Sequence, residues 1–324
     1  MEAAPKATAI RIHHYQMKSD ALKPSKAFEE KGLASWSVNV GLKCSHGCTY
    51  CSTGTTVRNH EAFSQFGESP FRHGYAIVDI TTPERVAREA ARKGNRGIVQ
   101  LCTTVDAWSD EARANNLGRA CMEAILKQPG WEVRVLTKNS AVTEDFKWMC
   151  QFRDRIRVGL SLTATEAKAN VIAAIEPNAS PIKDRMASLR QAHELGLRTF
   201  GMLCPLLPGI ASDETSVRDL VDFVLSCGAE EVFSEPVNAR ANCLALTEST
   251  LQQAGFQVEA AAIKTIRCES NWSAYAVQLL RTVRGALRAR NALDKGRFLL
   301  YANSLADEDR RAIEASPAGV IWLE

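Results

Sequence analysis

Between residues 35 and 240 the chain carries six strand-like segments separated by helix-like ones, and this alternation restricts the fold more than any other feature. Apolar, β-rich runs stand at Ser35–Val40, Gly97–Cys102, Glu132–Leu136, Ile156–Leu162, Arg198–Cys204 and Glu231–Ser234. Helical patterns fill the gaps at Pro83–Arg92, Asn115–Lys127, Thr143–Arg153, Ile182–Leu195 and Glu214–Cys227. Ser180-Pro181 opens one helix and Gly196 closes it; Asp213-Glu214 opens the next and Gly228 ends it. Strand alternating with helix predicts parallel strands joined by crossover helices. On such scaffolds function gathers where the loops meet, at the C-terminal ends of the strands.

Outside this region the pattern changes. Residues 1–34 read as a basic, irregular N-terminal extension, with Ala21–Lys31 a polar connector. Residues 241–324 read as an α+β C-terminal extension, in which the alternation fails. It holds a long amphipathic helix, Asn271–Asn291, and late strands at Phe298–Tyr301 and Val320–Leu323. The helix buries Leu279, Leu280, Val283 and Leu287 on one stripe and carries Arg281, Arg284, Arg288 and Arg290 on the other face. That face is either a solvated surface or a phosphate-contacting one. A chain of 324 residues with 45% apolar content can bury one large core. Its formal charge of +3 does not suit a dedicated polyanion binder. It has no run of 18 apolar residues and no export signal, so no membrane span and a reducing cytoplasm are expected.

The first strand-like run leads into Cys44-Ser45-His46-Gly47-Cys48-Thr49-Tyr50-Cys51. Three thiolates at C-x3-C-x2-C spacing suit three corners of a [4Fe–4S] cube and leave one iron open, where four-cysteine ferredoxin runs close every corner. A zinc site would need a fourth ligand, for which His46 or His60 are the nearby candidates. The other seven cysteines are scattered singly, several in apolar segments, which argues against a disulfide framework.

Further chemistry-bearing residues fall at the predicted strand ends. Cys102-Thr103-Thr104-Val105-Asp106, then Glu111, comes after the second strand. Its hydroxyls and carboxylate can bind an ammonium group, or Thr103 and Thr104 can cap a turn. Lys138 ends the third strand and needs an anionic partner, either a ligand carboxylate or a barrel carboxylate such as Asp106. Ser161 and Thr163 end the fourth, and Glu176-Pro177 then leads to Arg185 on a helix. Pro208-Gly209-Ile210 comes after the fifth, and Ser234-Glu235-Pro236 ends the sixth.

The cysteine spacing, with an aromatic residue before the last cysteine, resembles the radical S-adenosylmethionine (SAM) superfamily. That resemblance implies a partial (β/α)6 barrel spanning residues 35–240 and a [4Fe–4S] cluster held by Cys44, Cys48 and Cys51. It also implies SAM bound at the fourth iron and cleaved to a 5′-deoxyadenosyl radical, with Tyr50 near the adenine. A low-potential electron donor of flavodoxin or ferredoxin type is implied as partner. The strand-end series resembles the spore photoproduct lyase-like branch, also described as DNA repair photolyase-like. By that resemblance Lys138 and Ser161 contact the SAM carboxylate or ribose, and Thr104 and Asp106 place its methionine end. The backbone of Pro208, Gly209 and Ile210 would pass the adenine. Cys102 matches the cysteine that returns a hydrogen atom to a thymine radical in true lyases, or is an inert buried thiol. Those lyases also carry a tyrosine after the third cluster cysteine, and here Ser52 stands there.

The expected function is therefore a radical SAM enzyme that abstracts a hydrogen atom from its substrate, with two alternatives for the substrate and its fate. One is a lyase acting on a DNA lesion, favoured by Cys102 and the arginine face. The other modifies a peptide, nucleotide or small metabolite, favoured by Ser52 and the near-neutral charge. A non-catalytic Fe–S or zinc module is the competing class.

Overall fold

The computed structural model describes residues 10–323 apart from positions 93, 103 and 241. Thr103, residues 1–9 and Glu324 therefore lie outside the described residues.

All six expected strands form and lie parallel. They are β1 (Trp36–Val38), β2 (Gly97–Leu101), β3 (Trp131–Thr137), β4 (Ile156–Leu160), β5 (Gly201–Leu206, led in by Arg198–Thr199) and β6 (Val232–Pro236). Registers run Val38 to Leu101, Leu101 to Val135, Val135 to Val158 and Met202 to Phe233. A bridge between Ser161 and Met202 carries the sheet from β4 to β5. Helices Thr82–Ala90, Leu117–Leu126, Ile182–Glu194 and Glu214–Ser226 make the crossovers. This is a partial barrel of the α/β class.

Three expectations need correction. The alternation does not fail after residue 240. Helix Glu269–Ala289 leads to β7 (Gly296–Tyr301) and helix Asp307–Glu314 to β8 (Val320–Leu323), and both strands extend the same sheet in parallel. Helices Cys243–Gln253 and Gln257–Thr265 intervene first and obscure the pattern in sequence. The segment Ala21–Lys31 is not a plain connector. Leu22–Pro24 pairs antiparallel with β1, and the amides of Ala21 and Leu22 bond the buried Glu89 carboxylate. The segment Thr143–Arg153 is not one helix but short α and 3₁₀ turns, interrupted at Phe152 (φ −127°, ψ 27°).

The stretch 36–43 is likewise divided between two sheets. After β1 the chain leaves the barrel and Gly41–Lys43 joins a separate sheet with Arg11–His14 and Tyr75–Val78. Gly41 permits this crossing, because a Cβ there would stand 2.2 Å from the Ile77 carbonyl oxygen. The cysteine loop thus springs from the small sheet and leans over the barrel mouth.

Side chains alternate faces along a strand. On the inner face of the barrel, Phe200, Met202, Phe233, Leu299 and Leu323 pack into an apolar plug with Leu33. The Arg134 guanidinium lies 4.9 Å from the Phe200 ring and 5.4 Å from the Phe233 ring. Counting on by two along each strand reaches Cys102, Lys138, Ser161, Cys204 and Glu235 at the C-terminal ends.

Candidate active site

Those five residues line one cleft of about 240 Å3, together with Cys44, Cys48 and Cys51 from the opposite side. Tyr50, Thr104 and Asp106 line it too. The period of the strands and the position of the loop therefore bring together most of the residues singled out from sequence.

The cysteine loop is held in place by the segment after β4. The Thr49 amide donates to the Ile175 carbonyl at 2.9 Å. Asn178 Nδ2 donates to the Ser45 carbonyl at 2.8 Å, and its own amide donates to the His46 carbonyl at 3.2 Å. Gly47 turns the loop with φ +66° and passes Pro177 closely. From the side of β2, the Ser45 amide donates to Glu111 Oε1 at 3.0 Å.

Glu176 is the centre of this support. Its fully buried carboxylate accepts from the Tyr50 hydroxyl, from Lys138 Nζ at 2.9 Å and from Thr163 Oγ1 at 3.0 Å, and it pairs with Arg185. Burial opposes its charge, but Lys138 and Arg185 outweigh that and hold the carboxyl far below the usual range. Lys138 keeps its charge for the same reason, its burial being outweighed by Glu176. Its ammonium also bonds the Tyr50 hydroxyl and lies 4.7 Å from that ring. The anionic partner of Lys138 is thus Glu176, and Asp106 touches only its backbone amide, at 2.7 Å.

Asp106 serves as a second anchor. It accepts from His46 Nε2 at 2.9 Å, from Thr137 Oγ1 at 2.7 Å and from the Trp108 amide at 2.9 Å. Burial works against its charge, yet His46 and these donors keep its pKa lowered. Ser161 Oγ donates to the Cys204 carbonyl at 2.8 Å, and the Thr104 amide donates to Asn39 at 3.0 Å. Cys102 lines the cleft but is only 2% exposed, with φ 59°. Burial raises its thiol pKa well above normal, against a hydrogen bond from Val40.

Pro208, Gly209 and Ile210 are not brought to the cleft. A Cβ at Gly209 would stand 2.8 Å from Ala262, so this turn packs on helix Gln257–Thr265 instead. The arginine face of helix Glu269–Ala289 is divided. Arg284 donates to the Ser316 and Ala318 carbonyls and Arg290 pairs with Asp222, which leaves Arg281 and Arg288 exposed.

The donor set fits a cluster better than a single metal ion. Among the described residues, no three His, Cys, Asp or Glu side chains converge closely enough to hold one ion. A cube takes each thiolate on a different iron and needs no such convergence. Among the described residues, neither histidine joins the cysteines in a group that could hold one ion. His46 uses both ring nitrogens, on Asp106 and on the Asn178 carbonyl, and His60 Nδ1 caps the next helix by accepting from Ala62. Burial holds Cys48 as a thiol, its pKa pushed up to about 12, so binding iron must displace a proton.

The sequence pattern of the radical SAM superfamily matches residues 38–221 of this chain. An uncharacterized protein of Acidianus two-tailed virus is 24% identical over 254 residues, covering 75% of this chain and 82% of its own length. An uncharacterized protein of Methanocaldococcus jannaschii is 22% identical over 207 residues, covering 64% of this chain and 73% of its own. One solved structure of a spore photoproduct lyase mutant superposes with a TM-score of 0.58 at 14% identity, over 87% of this chain and 80% of that one. Another, with bound AdoMet and dinucleoside spore photoproduct, gives a TM-score of 0.50 at 12% identity, over 75% of this chain and 66% of that one. At such identities the likeness is one of fold.

Proposed function

The chain belongs to the radical SAM superfamily, and we propose that it abstracts a hydrogen atom from a DNA lesion of the photoproduct class and thereby cleaves a C–C bond. The family's cofactors are a [4Fe–4S] cluster and SAM, which together supply an electron and a 5′-deoxyadenosyl radical. Cys44, Cys48 and Cys51, which line the cleft, would hold three irons of the cluster. Lys138 and Ser161 would engage the carboxylate or ribose of SAM from β3 and the end of β4. Thr104 would contact its methionine end, and Tyr50 would pack against the adenosine. Asp106 would act through His46 and the Lys138 amide, keeping loop and strand end in register. A thiol in the cleft wall would return a hydrogen atom to the product radical. A low-potential reductant is required, and a flavodoxin- or ferredoxin-type protein fits that need.

The observation that carries this reading is the convergence of three loop thiols and the C-terminal layer of β2 to β6 on one cleft. A second reading, modification of a peptide, nucleotide or small metabolite, is favoured by Ser52 beside the third cysteine and by the engagement of Arg284 and Arg290 in structural contacts.

The test is anaerobic reconstitution, then reduction with dithionite in the presence of SAM and dinucleoside spore photoproduct. We expect about four irons per chain, formation of 5′-deoxyadenosine, and conversion of the photoproduct to thymines. SAM cleavage without conversion would move the assignment to the second reading. Bound zinc without SAM cleavage would replace both with a non-catalytic module.

A further inference from the structure

Besides the three loop thiols and Cys102, the cleft has one more thiol among its lining residues, which no sequence motif singles out. Cys204 stands at the end of β5, two positions beyond Met202 and on the same inner face. Its backbone carbonyl accepts from Ser161 Oγ at 2.8 Å, so it adjoins a residue proposed to bind SAM. Its side chain is half-buried, whereas Cys102 is almost wholly enclosed.

Cys204 also has a fixed partner. Its Sγ lies 3.1 Å from Glu235 Oε2, with the thiol donating to the carboxylate, and both residues line the cleft. The Glu235 carboxylate also acts on the Tyr301 phenol, helping burial to raise its pKa, and the Arg240 guanidinium lies 4.6 Å from the Tyr301 ring. Only a thiol, not a thiolate, can give up a hydrogen atom. Burial, then the Glu235 carboxylate, raises the Cys204 pKa well above normal, which keeps the hydrogen on sulfur at neutral pH.

We propose that Cys204, oriented by Glu235, is the hydrogen-atom donor of this cleft. The step breaks the S–H bond of Cys204 and forms a C–H bond at a carbon radical, leaving a thiyl. It runs downhill because an S–H bond is weaker than a C–H bond. One electron from the low-potential reductant and one proton from water in the open mouth restore the thiol. Glu235 is a positioning residue for this transfer. The proposal rests on the radical SAM reading, and the two can fail separately.

The experiment needs no identified substrate. Reconstituted protein in D2O, reduced with dithionite, is given SAM alone, and the 5′-deoxyadenosine formed is analysed by mass spectrometry. The exchanged S–D of Cys204 should deliver deuterium to the nucleoside radical. Cys204→Ser and Cys204→Ala should lose most of that label from whatever 5′-deoxyadenosine still forms, with iron content as the check that the site is intact. Cys102→Ser should keep the label. Absence of label in the wild type, label unchanged in both Cys204 variants, or label lost only in Cys102→Ser would overturn the proposal and leave the radical SAM reading standing. Failure of the wild type to form any 5′-deoxyadenosine would overturn that reading and this inference with it.

Discussion

The Lys138 ammonium lies 2.9 Å from the Glu176 carboxylate, and this ion pair ties the end of β3 to the segment that holds the cysteine loop. Arg185 closes the same carboxylate from the other side, and Tyr50 reaches it from the loop itself. One buried anion therefore fixes the strand end proposed to bind SAM and the loop proposed to bind the cluster.

Removing that anion should be costly. Glu176→Ala strands two buried cations, and breaking a buried pair from one side costs about 3–5 kcal/mol. Urea unfolding of the unreconstituted protein measures it. A loss below about 1 kcal/mol would mean the network is worth no more than an exposed ion pair.

The same residue predicts an acid limb in the stability profile. The folded carboxyl sits far below its ordinary value, so as pH falls the unfolded chain takes up the proton first. The Glu176 contribution is complete above about pH 4.3 and declines as pH drops further toward the folded pKa. Glu176→Gln should flatten that part of the curve relative to wild type in thermal melts across the acid range. Parallel curves would show that another carboxylate sets the limb.

Lys138→Ala should weaken SAM binding by about 1.5–3 kcal/mol, the usual worth of a charged hydrogen bond. Titration calorimetry on reconstituted, unreduced protein reads this directly. The variant also leaves Glu176 with one cation fewer, so a lower melting temperature is expected alongside. A normal SAM affinity with a lowered melting temperature would confine Lys138 to support of the loop.

Gly47→Ala tests how tightly the loop is held. The residue has φ +66°, and its added Cβ would meet Pro177 at 3.4 Å. Left-handed backbone costs a non-glycine residue about 1–2 kcal/mol. The expected result is slower or incomplete iron incorporation, monitored by visible absorbance during reconstitution. Incorporation at the wild-type rate would show that the loop rearranges freely before it binds iron.

The sequence by itself determined the parallel α/β layout, the crossover helices and the three-cysteine loop. These depend on local periods, caps and spacing that act within a few residues. It also placed Lys138, Ser161 and Glu235 at strand ends, because a period of two carries the inner face along each strand. Only the tertiary structure decided who partners whom. Tyr50 meets Glu176 across 126 positions of chain, and His46 meets Asp106 across 60. The sheet switch at Gly41 and the return of β7 and β8 to the barrel depend on close approaches between distant segments. The exclusion of Pro208-Gly209-Ile210 from the cleft depends on packing against helix Gln257–Thr265, which no local pattern in that turn specifies. Buried charge explains the difference in kind: an ionised side chain in the core must find its counter-charge wherever the closed fold brings one.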